Sequence, residues 1–145
     1  MVACTLQSEK IANYLCSQRI NLDLLDNKVR SALYLAIESD NFGVAEILAN
    51  NGASIVADQG RLAKMLCQIG YDNDLRKLSF LVQCDCDIMQ ADYDKRTVGH
   101  LAAAEGHTKL LKFLAESSQF DFNVKDRWGS SVFDEMKDEA ARAQI

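Results

Sequence analysis

The stretch Asp92–Asn123, DYDKRTVGHLAAAEGHTKLLKFLAESSQFDFN, decides the fold, because the rest of the chain is a looser copy of it. A polar turn opens it, followed by an alanine-rich helical piece from Thr97 to Ala104 and a break at Gly106-His107. A second helical piece then places its leucines on one face, at Leu110, Leu111 and Leu114. The unit is therefore turn, short helix, break and longer helix, and it needs neighbours of its own kind to bury its apolar faces.

Size and composition bound the class of protein. The chain has 145 residues, of which 48% are hydrophobic and 26% are charged, as in globular domains. Its net charge of -5 argues against nucleic-acid binding, which uses Lys and Arg to neutralise phosphates. The sequence has no apolar run of about 20 residues for a membrane span and no signal-like start. Five cysteines in an unsecreted chain predict thiols, so we expect the cytosol.

The same pattern recurs along the chain at a constant shift. Ser31–Ala36 aligns with Lys64–Ile69, and the same shift applied again reaches Thr97–Ala102. The shift that takes Asp92 to Asp126 is longer by one, so a single residue is inserted in between. We predict one repeat domain over residues 1–145, divided into a half-repeat (1–25), three repeats (26–58, 59–91 and 92–125) and a partial repeat (126–145).

The period, about 33 residues, and these motifs resemble the ankyrin-repeat family. The residues that match its threonine-proline-leucine-histidine and glycine-histidine motifs are Thr97, His100, Leu101, Ala102, Ala103, Gly106, His107, Leu110 and Leu111. The resemblance implies an all-α solenoid of helix-turn-helix units with short finger loops. Small residues such as Ala36 and Ala102 would lie on inner helices, and larger ones on outer helices, leaving a concave groove.

The chain departs from the family pattern at several positions. It contains no proline, and Val29 and Lys95 replace the turn glycine that Gly129 keeps. A non-glycine residue at positive φ costs about 1–2 kcal/mol, so we expect these loops to take another turn form. Gly70 lies inside a predicted helix, where glycine costs about 1 kcal/mol relative to alanine. The repeat 59–91 is therefore expected to be the softest.

The sequence contains no recognisable catalytic or metal-binding motif, and we predict no enzyme activity, metal or cofactor. His100 and His107 are close in the sequence, but their register predicts structural roles rather than metal ligation. Cys84 and Cys86 form C-x-C rather than C-x-x-C, which favours a surface turn with incidental thiols.

The repeat register predicts which side chains face a protein or peptide partner. The finger loops supply Lys28, Arg30, Arg61, Tyr93, Asp94, Arg96, Arg127 and Trp128. The ends of the inner helices supply the groove residues Glu38, Tyr71, Asp72 and Glu105. A basic edge beside an acidic floor suits a peptide with charges of both signs. The alternative is that these charges are merely solvated, or pair with one another.

The leading functional hypothesis is a non-catalytic protein-interaction module, either an adaptor or a scaffold. The segment from Asn51 to Glu135 also resembles the ankyrin tails of plant-type potassium channels, L-asparaginases and kidney-type glutaminases. That resemblance implies a regulatory or assembly segment of a larger protein. The apolar residues Ile11, Tyr14 and Leu15 predict a missing neighbour on the N-terminal side, whereas the polar run 134–139 is suited to an end cap.

Overall fold

The computed structural model describes residues 6–143, and over that range it contains helices, turns and one isolated β-bridge, between Lys125 and Ser131, but no β-strand. The predicted all-α class is confirmed. The chain forms two compact units, Met1–Asp58 and Gln59–Ile145, called unit 1 and unit 2 below.

Unit 1 contains the helices α1 (Leu6–Ser17), α2 (Ala32–Glu38) and α3 (Phe42–Asn50). Both α2 and α3 begin at polar caps, because the Ser31 and Asn41 side chains accept hydrogen bonds from backbone N–H groups of the first turn. Both α1 and α2 pack against α3. The buried apolar residues of α2 and α3 are Leu33, Tyr34, Ala36, Ile37, Val44, Ala45 and Leu48.

Unit 2 contains six helices within the described part of the chain. They are α4 (Gln59–Asp72), α5 (Leu75–Gln83), α6 (Val98–Glu105), α7 (Thr108–Glu116), α8 (Val132–Glu135) and α9 (Glu139–Ala143). The short helix α6 packs against α4, α7 and α8, so it is the centre of this unit. Its small residues Ala102 and Ala103 are buried, as are the larger Leu111 and Leu114 of α7. Both sets of residues belong to the core, and their predicted division between inner and outer helices stays a prediction.

The predicted turn at the start of the repeat 59–91 is wrong. Residues 59–63 form the first turn of α4, and Arg61 is therefore a helical residue rather than a finger-loop residue. Asp26, Asp92 and Asp126 open the corresponding turns elsewhere, whereas Gln59 stands at this position. The short aspartate carboxylate favours turns because it bonds backbone N–H groups two residues on, and glutamine is instead a good helix former.

Gly70 has a packing role that its helix propensity does not reveal. It is buried near the end of α4, which continues unbroken through it. A Cβ atom at this position would lie 2.5 Å from the Val98 carbonyl oxygen and 3.0 Å from the Leu101 Cβ. The glycine therefore permits the close approach of α4 to α6. The expected softness of this repeat stays a prediction.

We predict that Gly70→Ala destabilises the protein by about 1–3 kcal/mol, the usual cost of overpacking, although alanine is the better helix former. The matched control is Gly60→Ala, an exposed position in the first turn of the same helix, which should be neutral or stabilising by up to about 1 kcal/mol. Urea unfolding followed by circular dichroism measures both. Equal stabilities for the two variants would contradict the close-approach explanation.

Candidate partner-binding surface

Three five-residue loops share one geometry, and we call them aspartate turns: residues 26–30 in unit 1, and 92–96 and 126–130 in unit 2. In the second, Asp92 Oδ1 accepts the backbone N–H groups of Asp94 and Arg96, each at 2.9 Å. The backbone N–H of Asp92 donates to the Arg96 carbonyl at 2.9 Å. Asp26 and Asp126 make the equivalent bonds in their own turns. Each loop is thus closed by its first residue.

The fourth residue of every aspartate turn has a left-handed backbone. The φ angles are 60° at Val29, 60° at Lys95 and 83° at Gly129. The expectation that Val29 and Lys95 force another turn form is therefore wrong. Two side-chain hydrogen bonds and the backbone bonds that close the loop offset the roughly 1–2 kcal/mol cost of a non-glycine residue in this region.

The two turns of unit 2 bring four predicted site residues together, and we call this set the finger surface: Tyr93, Asp94, Arg127 and Trp128. The backbone N–H of Arg127 donates to the backbone carbonyl of Asp94 at 2.8 Å, which joins the turn 126–130 to the turn 92–96. The Arg127 guanidinium lies 3.5 Å from the Asp94 carboxylate and 5.8 Å from the centre of the Tyr93 ring. Tyr93 is 89% exposed and Trp128 is 67% exposed.

Arg96 is part of the scaffold, although the sequence places it in the finger row. Its side chain is only 22% exposed and lies 3.5 Å from the Glu135 carboxylate. Its carbonyl accepts a hydrogen bond from the Cys67 thiol at 3.5 Å. The partner Glu135 belongs to α8, more than one repeat further along the chain, and no spacing in the sequence indicates that pairing. Arg96 thus fits the alternative in which charges pair with one another.

In the turn 26–30 of unit 1, the arginine at the fifth position also pairs with carboxylates of its own unit. Arg30 lies 2.7 Å from Asp26 and 3.7 Å from Glu38, which also accepts a hydrogen bond from the Tyr34 hydroxyl at 3.3 Å. The hydrogen bond from Arg30 holds the pKa of Asp26 at about 2, below its ordinary 3.8. Arg30 and Glu38 therefore pair within the unit, while Lys28 remains exposed.

The predicted groove residues of unit 2 form a second group at the opposite end of the inner helices, called the helix-end cluster: Tyr71, Asp72 and Glu105. The His107 ring Nε2 lies 2.9 Å from the Tyr71 carbonyl and so joins the end of α4 to the turn after α6. Asp72 accepts a hydrogen bond from Gln68 at 2.8 Å, a pairing that the i, i+4 spacing could have indicated. Tyr71, Asp72 and Glu105 are all exposed.

Both histidines have structural roles, as predicted. His100 is fully buried, and its Nδ1 accepts the Thr97 backbone N–H at 3.1 Å. Because Nδ1 is an acceptor, the ring proton lies on Nε2, which donates to the Ser130 carbonyl at 3.1 Å. His100 therefore links the turn 92–96, through the start of α6, to the turn 126–130.

Cys67 and Cys86, two of the described cysteines, are held mainly as thiols. Cys86 is buried, so the predicted surface turn of incidental thiols is wrong for this residue, which packs as a small apolar side chain. Burial raises the pKa of Cys67 to about 12 and that of Cys86 to about 11, which leaves little thiolate at neutral pH. Among residues 6–143, no group of three or more His, Cys, Asp or Glu is arranged to hold a metal ion.

No helix within the described range is both long enough and apolar enough to cross a membrane. The sequence also matches no family model.

Comparisons with known proteins identify the class that the chain resembles. It is 43% identical over 65 residues to the mitochondrial liver isoform of glutaminase from Mus musculus, covering 45% of this chain and 11% of that protein. It is 30% identical over 125 residues to a Caenorhabditis elegans protein named as a putative glutaminase, covering 80% of this chain and 20% of that protein. It is 39% identical over 70 residues to the potassium channel SKOR of Arabidopsis thaliana, covering 48% of this chain and 8% of that protein.

A solved structure extends the likeness over nearly the whole chain. A chain in the complex of a predatory endopeptidase from Bdellovibrio bacteriovorus with an immunity protein superposes with a TM-score of 0.64 at 26% identity. The match covers 93% of this chain and 69% of that one.

The repeat pattern, the all-α fold and these matches agree: the chain resembles ankyrin-repeat proteins. The particular relatives are glutaminases, the SKOR channel and an L-asparaginase of Dirofilaria immitis, which is 28% identical over 69 residues, covering 48% of this chain and 12% of that protein. The predicted resemblance to glutaminases, asparaginases and potassium channels is confirmed. The mouse and rat glutaminases that match are liver isoforms, whereas the prediction named the kidney type. The chain spans a fifth or less of the length of these relatives, so their activities are not carried over to it.

We predict that stability below pH 4 depends on Asp26. Its pKa is lower in the folded state, about 2 against an ordinary 3.8, so its carboxylate stabilises the fold above about pH 4, and this contribution disappears as the pH falls towards 2. Asp26→Asn should therefore give a shallower loss of unfolding free energy between pH 4 and 2, measured by urea unfolding. Arg30→Gln should act in the same direction, because it removes the main cause of the low pKa. If the unfolding free energy of Asp26→Asn falls between pH 4 and 2 as steeply as that of the wild type, this explanation is contradicted.

Proposed function

We propose that the chain is a non-catalytic protein-interaction module and that unit 2 binds an extended segment of a protein partner. The observation that carries the proposal is the finger surface, where Tyr93 and Trp128 are exposed and the Arg127 guanidinium lies 3.5 Å from the Asp94 carboxylate and 5.8 Å from the centre of the Tyr93 ring. Exposed Trp, Tyr and Arg are the residue types that dominate binding energy at protein interfaces. Because Arg127 is positioned before binding, less side-chain entropy is lost on association.

The charges of unit 2 define the chemistry of the partner segment. Near the finger surface, Lys95, Lys125 and Arg127 are exposed cations, whereas the helix-end cluster carries the exposed carboxylates Asp72 and Glu105. Asp94 is half-buried and contacts Arg127, whereas Arg127 keeps 57% of its side chain exposed despite that contact. A partner with an acidic residue facing the fingers and a basic residue facing the helix ends satisfies both groups.

The length of α6 sets the separation of those two groups. This helix has eight residues, so its ends lie about 12 Å apart at about 1.5 Å per residue. An extended peptide advances about 3.3 Å per residue and covers the same distance in about four residues. We therefore expect a partner motif with an acidic and a basic side chain three to five residues apart and an apolar or aromatic residue beside the acidic one.

We predict that random 12-residue peptides selected on the intact chain share this motif, and that Trp128→Ala weakens their binding about tenfold or more, the effect of losing an interface hot spot. Fluorescence polarisation with a labelled selected peptide measures the affinity. Arg127→Glu should weaken binding further and should select against acidic peptides. The matched control is Lys112→Glu, the same charge reversal at an exposed position of α7 that belongs to neither group.

Two outcomes would overturn the proposal. One is selected peptides without the acidic-basic spacing, and the other is affinities that Trp128→Ala and Arg127→Glu leave unchanged. Arg96 is unsuitable for this test, because its contact with Glu135 makes its substitution a perturbation of the fold.

A second candidate function is favoured by the partial matches. The chain is similar to 11–20% of the length of two glutaminases, to 12% of an L-asparaginase and to 8% of a potassium channel. These matches support the alternative in which the chain is a regulatory or assembly segment of a larger protein, either an amidohydrolase of the glutaminase or asparaginase type or a potassium channel. Native mass spectrometry of the intact chain mixed with the mouse liver glutaminase tests the first of these. A complex that Trp128→Ala weakens would support this candidate, and separate species at micromolar concentrations would count against it.

A further inference from the structure

Helix α1 of unit 1 exposes an apolar face. Ile11, Tyr14 and Leu15 are 54%, 65% and 43% exposed, and they follow the i, i+3, i+4 spacing of one helical surface. Ordinary monomers scatter exposed apolar residues singly, whereas adjacent ones indicate an interaction surface.

The repeat shows what normally happens at these three positions. In α3, one repeat period later, they are occupied by Val44, Ile47 and Leu48, which are buried, half-buried and buried. In α7, three periods later, Leu110, Phe113 and Leu114 follow the same order and have the same burial classes. In α5, two periods later, the positions hold Lys77, Phe80 and Leu81, which are half-buried, half-buried and buried. None of the equivalent residues in the three later helices is exposed, whereas all three are exposed in α1. In unit 1, α1 packs against α3, so one helix of this type already contacts another.

An apolar pocket continues this face. It has a volume of about 200 Å³, and its walls include Leu15, Ile20 and Leu24 on one side and Val44 and Leu48 of α3 on the other. Leu24 is 70% exposed at its rim. An engineered apolar cavity of about 150 Å³ binds benzene, so this pocket has room for one large side chain of an incoming segment.

We infer that this face is a docking surface for one further amphipathic helix of the same type as α3, supplied by a partner polypeptide. The occupant has apolar residues at the i, i+3 and i+4 positions and an acidic residue beside them, as α3 has Glu46 beside Ile47. The helix spacing of the exposed residues favours a helical occupant over an extended strand.

The charges beside the apolar face of α1 favour an acidic partner helix over a second copy of the chain as its occupant. Among residues 9–25, the exposed charged side chains are Lys10, Arg19 and Asp23. The two cations lie one before and one after the apolar face, whereas the Asp23 carboxylate accepts the Ser54 backbone N–H at 2.8 Å. Two copies paired through α1 would bring these cations together, whereas an acidic amphipathic helix would meet them with opposite charge.

The test uses the intact chain and a synthetic peptide of residues 38–52, ESDNFGVAEILANNG, acetylated and amidated. So short a helix is marginal alone, so we expect a dissociation constant of about 1 mM. Adding the peptide to the ¹⁵N-labelled chain should shift amide resonances of residues 9–25. Ile11→Lys and Tyr14→Lys should each weaken binding about tenfold, a change of about 1.4 kcal/mol. The matched control is Ala115→Lys, the same added charge at an exposed position of α7 in unit 2, and it should leave binding unchanged.

Each alternative outcome is decisive. A peptide with Ile47 and Leu48 replaced by aspartate should not bind, and equal binding by it would overturn the inference. Amide shifts confined to residues outside 9–25, or no shifts at several millimolar peptide, would also overturn it. Sedimentation velocity tests whether the chain pairs with itself through α1. A dimer that Ile11→Lys dissociates would show that a second copy is the occupant and would contradict the acidic partner helix. This test is independent of the finger surface, since Trp128→Ala should not affect it.

Discussion

The local structure of the chain depends on one interaction, the acceptance of two backbone N–H groups by a single aspartate oxygen. Asp92 holds the N–H groups of Asp94 and Arg96, and Asp126 does the same for Trp128 and Ser130. A free loop of this length would leave these groups to water and would have many conformations. The carboxylate selects one conformation, with the fourth residue at positive φ, and the next helix then begins from a fixed point.

Closure of the turns also positions the candidate binding residues. Once each turn is closed, His100 joins the start of α6 to the Ser130 carbonyl, and the Arg127 N–H joins the second turn to the first through the Asp94 carbonyl. These contacts fix the loops from which the exposed rings of Tyr93 and Trp128 project. The aromatic side chains are therefore displayed on loops that are hydrogen-bonded to each other and to a buried histidine, which reduces the entropy lost when a partner binds.

The sequence predicts the helical repeats, because period and apolar spacing are local signals. It also places Tyr93, Asp94, Arg127 and Trp128 in loops, where they lie, and their contact with a partner stays a prediction. It also predicts the structural roles of His100 and His107. The features it misses depend on contacts between distant residues. The role of Gly70 follows from the approach of α6, and the pairing of Arg96 with Glu135 follows from the position of α8. The prediction for Arg61 is wrong for another reason: it extends the repeat register through Gln59, which lacks the carboxylate that closes the turn.

The position of a residue within the aspartate turn separates scaffold from surface. Fifth residues turn back towards the helices: Arg30 pairs with Asp26 and Glu38, and Arg96 pairs with Glu135. Second and third residues point outward, and they include Tyr93 and Trp128. A cation at the fifth position therefore stabilises the fold, whereas Arg127, at the second position, retains 57% exposure of its side chain and can meet a partner. The same residue type is thus paired within the fold or left accessible according to its position in a loop whose geometry is set by one carboxylate.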